Sequence, residues 1–146
     1  MVVDDIFPVE TASPQATMAL GEQLAGILQS GDVLALYGDL GAGKTHLVKG
    51  LACGLGIPPE DVTSPTFTLI QEYPTNPPLY HLDAYRIEHL SELERMGVDE
   101  YLHGDGVCVI EWPERMEALL PDQTIRLRLS HSGKYRREIE RLKGKG

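Results

Sequence analysis

A short stretch of the chain combines glycines, a lysine and a threonine at a spacing suited to binding phosphate: Gly38-Asp39-Leu40-Gly41-Ala42-Gly43-Lys44-Thr45. Gly41 and Gly43 permit backbone angles that a side chain would disfavour, so successive N–H groups can point at phosphate oxygens. Lys44 would bring a cation to the β- and γ-phosphates, and the Thr45 hydroxyl would take one coordination position on Mg2+. The stretch therefore predicts a P-loop that binds a nucleoside triphosphate with Mg2+.

Two apolar runs end in a carboxylate that could act on the same phosphates. Asp83 follows residues 79–82, and Glu111 follows residues 107–110. In a doubly wound sheet, ligands bind outside the carboxyl ends of the strands, where a carboxylate would face Mg2+ or its water shell. One of the two would be a Walker B-type metal partner, and the other would orient or polarise the attacking water. The alternative for each is a turn or helix-capping carboxylate at the surface.

Thr66 and Trp112 are further candidates beside the phosphates. Thr66 lies at the hydroxyl-rich entry to an extended segment, where it could contact the γ-phosphate or the metal as ordered switch loops do. A threonine that simply favours a strand is the alternative. Trp112, the single tryptophan, directly follows Glu111 and could cover the site or face a partner, with core or rim packing as the alternative. No two of the five histidines have a metal-ligand spacing, so none is assigned to a metal.

The residues around the P-loop predict the elements that position it. The apolar run 33–37 precedes it as a strand, and a helix begins near Lys44. Ser13 and Pro14 have the features of an N-cap and a first helical residue, and the leucines after them recur at helical spacing. This earlier helix is expected to cover one face of the sheet. A capping box at residues 91–94 predicts another short helix.

The C-terminal segment 124–146 is predicted to add antiparallel strands at a sheet edge. Apolar residues at 125, 127 and 129 alternate with arginines, as in a strand with one wet face, and Ser132-Gly133 indicates a hairpin turn. A helix over residues 135–142 is the alternative for the second half. Together the elements predict an α/β, three-layer P-loop NTPase-like fold, with a mixed, mostly parallel sheet, antiparallel edge strands and flanking helices.

The length and the charge of the chain limit the number of domains and the kinds of partner that we expect. With 146 residues, 42% of them hydrophobic, the chain fits a single domain, residues 1–146, with little beyond the nucleotide fold. The net charge of −9 is unevenly distributed along the chain. Residues 124–146 carry eight basic and two acidic side chains, whereas residues 1–123 carry five basic and 20 acidic ones. This asymmetry favours a directed contact with nucleotide, RNA or a partner over general coating of nucleic acid. A solvated basic face is an equal alternative.

Other sequence features narrow the compartment and the nucleotide. Cys53 and Cys108 lie far apart, and no apolar run resembles a signal peptide or a membrane span. A cytoplasmic protein with reduced thiols and no membrane contact is expected. Asn76, the single asparagine, is followed by proline, so the Asn-Lys-x-Asp guanine signature cannot occur. ATP is therefore the expected nucleotide.

Four motifs, in this order and spacing, resemble the bacterial TsaE (YjeE) family over about residues 13–121: the P-loop, Thr63-Ser64-Pro65-Thr66-Phe67-Thr68, His81-Leu82-Asp83-Ala84-Tyr85-Arg86 and Ile110-Glu111-Trp112-Pro113. The family is the ATPase subunit of the machinery that places threonylcarbamoyl on the adenosine beside the tRNA anticodon, and it works with TsaB and TsaD. The resemblance implies a Mg2+-dependent ATPase, weak alone, that drives or resets this complex and does not itself transfer the carbamoyl group. Contact with tRNA would be indirect or through the basic C-terminal segment.

The resemblance also implies roles by position. Lys44 and Thr45 correspond to the phosphate and Mg2+ contacts, Glu111 to a Mg2+ partner and Asp83 to a residue of hydrolysis, so that Lys44, Asp83 and Glu111 form the expected catalytic set. The expected nucleotide-binding set comprises Asp39, Leu40, Gly41, Ala42, Gly43, Lys44, Thr45, His46, Ser13, Pro14, Thr66, Trp112 and Arg136.

Some of these assignments concern the adenine side or depart from the family. Ser13, Pro14 and the basic hairpin with Arg136 resemble regions that approach the adenine. His46 stands where a threonine commonly follows the P-loop threonine. Since the backbone N–H binds phosphate there, little loss of binding is expected.

Two other function classes use the same loop. A small-molecule or nucleoside kinase would add an acceptor pocket and a basic lid, for which the C-terminal segment is the available candidate. A non-enzymatic scaffold would bind ATP without hydrolysing it. The short chain leaves little room for a second substrate domain, which favours the ATPase.

Overall fold

The computed structural model describes residues 3–39, 41–63, 65 and 69–143. Their strands form one sheet, with the bounds β1 Val9–Thr11, β2 Val33–Tyr37, β3 Ile70–Tyr73, β4 Leu79–Asp83, β5 Val107–Glu111, β6 Ile125–His131 and β7 Arg137–Leu142. The helices are α1 Pro14–Ala25, α2 Lys44–Gly54, α3 Leu90–Arg95 and α4 Val98–Leu102. Short 3-10 helices cover Val3–Asp5, Pro59–Asp61 and Pro113–Leu119.

Strand β2, which leads into the P-loop, lies at the centre of the sheet, whose order is β1-β7-β6-β2-β5-β4-β3. It pairs in parallel with β5 and β6, and β4 pairs in parallel with β5. The pairs towards the two edges, β1 with β7, β7 with β6 and β3 with β4, are antiparallel. The predicted mixed sheet with antiparallel edges is confirmed. The helical alternative for residues 135–142 is wrong, since most of that segment is β7.

Helices cover the two faces of the sheet and complete three layers. On one face α1 and α2 bury leucines against the strands, among them Leu24, Leu47, Leu36 and Leu127. On the other face α3, α4 and the last 3-10 helix do the same, through Leu93, Val98, Met116 and Ile110 among others. All five residues of β2 are buried, as expected of a parallel strand covered on both faces.

The helix starts agree only partly with the sequence. Helix α1 begins as predicted, because the Ser13 hydroxyl accepts the N–H of Ala16 at 3.1 Å and Pro14 is the first helical residue. The capping box predicted at residues 91–94 is wrong in position. Helix α3 begins at Leu90, and the Glu92 carboxylate accepts the N–H of His89 at 2.9 Å, so His89 is the N-cap.

Arg126 of strand β6 is buried, although the sequence predicts that it lies on a solvent-exposed face. Its Nε donates to Glu117 at 3.0 Å. Glu117 also accepts the hydroxyl of Tyr37 at 2.6 Å. Burial, followed by this hydrogen bond, raises the pKa of Tyr37 to about 12. The pairing makes burial of the arginine acceptable, which the alternation of residue types could not reveal.

The basic C-terminal segment contacts acids near the start of the chain. Arg136 forms an ion pair with Glu10 at 2.5 Å, and Arg141 forms one with Asp4. These contacts follow from the pairing of β1 with β7, which brings an acidic and a basic segment together. Part of the basic charge of residues 124–146 is therefore already compensated. Among the described residues, no helix is long and apolar enough to cross a membrane.

Candidate nucleotide-binding site

The P-loop joins the end of β2 to the first turn of α2. Gly43 is the N-cap of α2 with φ +100°, and Gly41 has φ +80°, a conformation that favours glycine at both positions. A Cβ at Gly43 would lie 3.5 Å from Arg137 Cγ and 3.7 Å from Leu129 Cδ2. The loop therefore has the left-handed glycines and the helix N-terminus that phosphate binding requires.

A cavity of about 380 Å³ lies beside this loop. The loop and the start of α2 contribute Gly41, Gly43, Lys44, Thr45 and His46. The sheet order places β5 and β4 on one side of β2, and β6 and β7 on the other. The cavity accordingly receives Asp83, Glu111 and Trp112 from one side and Arg137 from the other. Its position at the carboxyl ends of parallel strands is the usual ligand position in such sheets.

Lys44 is held inside the site. Its side chain is buried, and Nζ donates to the Gly38 carbonyl at 2.6 Å. The same nitrogen lies 3.7 Å from the centroid of the Trp112 ring, a cation–π distance. Burial lowers the pKa of Lys44, and the negative charge of Glu111 opposes that shift. Because the hydrogen bond of Nζ is made to a neutral carbonyl rather than to a carboxylate, the ammonium is suited to receive phosphate oxygens.

Asp83 and Glu111 face each other at the ends of β4 and β5. They are direct partners in the parallel register, and both are buried, with 8% and 7% of their surface exposed. Asp83 Oδ1 accepts the N–H of Tyr85 at 2.9 Å. Burial raises the pKa of Asp83, against the lowering effect of that hydrogen bond, and the neighbouring charge of Glu111 raises it further. Both carboxylates are therefore buried at the cavity and not at the exposed surface, although Asp83 also accepts the turn N–H of Tyr85.

Trp112 lies at the mouth of the cavity. It has φ +57° and ψ +48°, an uncommon conformation for a residue other than glycine. Its ring packs against Tyr85, with 4.8 Å between the ring centroids, and Tyr85 remains 42% exposed. Trp112 therefore contacts both Lys44 of the P-loop and the exposed Tyr85.

Ser13, Pro14 and Arg136 were predicted to lie near the adenine, and only Pro14 lines the cavity. Ser13 uses its hydroxyl to cap α1. Arg136 is bound to Glu10, and the cavity is lined by Arg137 instead, which donates to the Gly41 carbonyl at 3.0 Å. Neighbouring residues on an extended chain point in opposite directions, so the choice between two arginines depended on the register. Leu40 and Thr66 lie outside the described residues.

Sequence reasoning missed several residues that the structure brings to the site. His81 is buried beside Glu111, with 2.6 Å between Nε2 and Oε2. Its position two residues before Asp83 on one strand was the signal, because alternate residues share a face. Thr17 of α1 and Tyr135 of the β6–β7 hairpin also line the cavity. Both are distant in sequence from the P-loop and carry no motif.

The side chains in the cavity could bind Mg2+ only if phosphate oxygens supplied further ligands. Among the described residues no group of three or more His, Cys, Asp and Glu side chains could hold a metal ion. Mg2+ in phosphate-binding sites commonly takes one or two protein oxygens, with phosphate and water oxygens completing six positions. The Thr45 hydroxyl and the Glu111 carboxylate, which line one cavity with Lys44, are donors of this kind.

Comparisons with known proteins agree on one family. The family model described as threonylcarbamoyl adenosine biosynthesis protein TsaE matches residues 11–139. A protein of Bacillus subtilis named tRNA threonylcarbamoyladenosine biosynthesis protein TsaE is 48% identical over 130 residues, which are 88% of this chain and 80% of that protein. Its namesake in Treponema pallidum is 46% identical over 127 residues, covering 87% of this chain and 93% of that protein. A crystal structure of YdiB from Bacillus subtilis matches with a TM-score of 0.76 and 42% identity, over 91% of this chain and 82% of that one.

Proposed function

The chain belongs to the TsaE family of tRNA threonylcarbamoyladenosine biosynthesis, and we propose that within this process it is a Mg2+-dependent ATPase. The observation that carries the proposal is the convergence of Lys44, Asp83 and Glu111 on one cavity beside a glycine-rich loop. A loop that only joined a strand to a helix would have no need of two buried carboxylates opposite a buried lysine. Their desolvation costs free energy, which a bound nucleotide and metal would offset.

The roles of the side chains follow from their places in the cavity. The P-loop N–H groups and Lys44 bind the β- and γ-phosphates. Thr45 and Glu111 would hold Mg2+, which would compensate the charge that develops on the phosphate oxygens. Asp83 orients and polarises the water that attacks the γ-phosphorus, and ADP leaves. Burial raises the pKa of Asp83, which suits a group that accepts a proton from that water.

The partners we propose are TsaB and TsaD, with hydrolysis driving or resetting their complex. Turnover by the isolated protein is then slow. Two contacts support this: Lys44 donates to the Gly38 carbonyl, and Trp112 covers the lysine. These contacts occupy part of the binding capacity of the Lys44 ammonium, and a partner that contacts the exposed Tyr85 beside Trp112 could release it for the phosphates.

Contact with tRNA is proposed to be indirect, in the cytoplasm. The basic hairpin is the region of the chain that could bind RNA phosphates. However, Arg136 and Arg141 already pair with Glu10 and Asp4. Compensated cations release fewer counterions on binding, so the described part of this segment is a weak RNA site.

The test is release of phosphate from ATP by wild type and by Asp83→Ala and Glu111→Ala, each with and without TsaB and TsaD. We expect slow wild-type turnover that the partners stimulate and that both substitutions abolish. Equal wild-type rates with and without partners would contradict the regulatory part. Wild-type release at background, matched by both variants, would instead indicate a scaffold that binds ATP. A phosphorylated metabolite formed from a supplied nucleoside would indicate a kinase.

A further inference from the structure

One buried histidine contacts the proposed metal-binding carboxylate directly. His81 of β4 is paired in register with Val109 of β5, and its ring reaches along the sheet to Glu111, two residues further on. The distance from Nε2 to Glu111 Oε2 is 2.6 Å, and His81 is only 2% exposed. The contact is therefore short and shielded from water, which makes it strong and directional.

The chemistry of the two groups decides which one donates. A carboxylate accepts hydrogen bonds only, so the hydrogen lies on Nε2 of His81. Its other nitrogen, Nδ1, is buried and has no hydrogen-bond partner among the described residues. An apolar side chain would fill this position without leaving a buried polar atom unpaired. The contact with Glu111 is thus the interaction that accounts for a histidine on this strand.

From this contact we propose that His81 is a positioning residue that holds the Glu111 carboxylate in place for the metal; the proposal rests on the proposed function. Glutamate has three rotatable side-chain bonds, and the hydrogen bond to Oε2 restricts them. Because Oε2 is engaged, Oε1 would be the oxygen available to the metal. Without His81 the carboxylate could turn towards Lys44, which lines the same cavity, and an ion pair there would withdraw both groups from metal and phosphate.

Two amide substitutions separate positioning from mere packing. In His81→Gln the amide nitrogen can occupy about the position of Nε2 and still donate to Glu111. In His81→Asn the shorter side chain reaches only about as far as Nδ1, so it remains polar but cannot donate. For wild type and both variants, calorimetry would measure ADP binding in EDTA and then the Mg2+ concentration that gives half of the Mg2+-dependent increase in affinity.

We expect equal ADP affinity in EDTA for all three proteins. The half-saturating Mg2+ concentration should rise about 10- to 100-fold in His81→Asn, as for other residues that orient a metal ligand, and should stay near the wild-type value in His81→Gln. His81→Leu, which preserves the volume without a polar atom, serves in the same measurement if His81→Asn does not fold. In wild type without any ligand, proton NMR should show a low-field imidazole N–H of His81 that shifts in Glu111→Gln.

Each contrary result has a definite meaning. A wild-type Mg2+ response that His81→Asn leaves unchanged would overturn the role of His81 and leave the ATPase proposal intact. An equal loss in both amide variants, including ADP binding in EDTA, would show a packing role and overturn it as well. A wild-type protein that binds ADP with no response to Mg2+ would overturn both the metal-binding role of Glu111 and the positioning role.

Discussion

Substituting Gly50 by alanine tests the contact between the two helices that flank the nucleotide loop. Gly50 of α2 lies against α1, and an added Cβ would be 1.9 Å from the Met18 carbonyl oxygen. Contacts under 3.0 Å are essentially never seen for a real Cβ, so the helices must separate by at least about 1.1 Å. The opposing atom belongs to the backbone and cannot turn aside. The strain of overpacking is typically about 1–3 kcal/mol, and against a backbone atom we expect the upper half of that range, about 2–3 kcal/mol.

The gain in helix propensity offsets part of this strain. Alanine is favoured over glycine inside a helix by about 1 kcal/mol. We therefore expect Gly50→Ala to be destabilised by about 1–2 kcal/mol, which for a chain of this size lowers the Tm by roughly 2–8 °C. Helix α2 begins at Lys44, and Pro14 and Thr17 of α1 line the same cavity, so ADP affinity should fall as well.

Thermal and urea denaturation provide the assay, and Gly26→Ala is the matched control. Gly26 has φ −76° and ψ −12°, which alanine adopts readily, and an added Cβ would lie 3.5 Å from the Gln23 carbonyl oxygen, an ordinary contact distance. That variant should be neutral or stabilised by up to about 1 kcal/mol. If Gly50→Ala were as stable as Gly26→Ala, the close approach of the two helices would be refuted.

Three further outcomes are expected. Lys44→Ala should lower the affinity for ADP with Mg2+ by about 10- to 100-fold in calorimetry, because a charge-assisted contact is lost. Lys49→Ala, further along α2, is the control and should leave the affinity unchanged. An unchanged affinity in Lys44→Ala would contradict the role of Lys44. Arg137→Gln should weaken ADP binding by about tenfold, whereas Arg136→Gln, which breaks a surface ion pair, should leave it unchanged. A larger effect at Arg136 would restore the sequence-based choice. The folded-state pKa of Tyr37 is raised from 10.0 to about 12, so its contribution to stability is full below pH 10.0 and is lost as the pH rises towards 12. Urea unfolding between about pH 9 and 11 should therefore show a steeper decline for wild type than for Tyr37→Phe, and parallel declines would contradict the shift.

The features that could be predicted from the sequence depend on residues that are neighbours in the chain. The P-loop, the α1 cap at Ser13 and the strand before the loop depend on neighbouring residues, so their sequence patterns are sufficient. The capping box predicted at Ser91 and Glu94 was wrong in position because His89 and Glu92 have the same three-residue spacing, and His89 is the N-cap of α3. The sequence could not separate Arg136 from Arg137, which lines the cavity, because a shift of one residue reverses the side of a strand.

The sequence by itself determined that this chain has a P-loop motif suited to binding phosphate and that two strands end in carboxylates. It also determined the family, since four motifs occur in one order. Only the tertiary structure decided that Asp83 and Glu111 are register partners, that His81 contacts Glu111 and that Arg137 lines the cavity. The physical reason is that a strand pattern specifies which residues share a face of one strand. Which strand lies beside it, and in which register, depends on packing across the whole sheet.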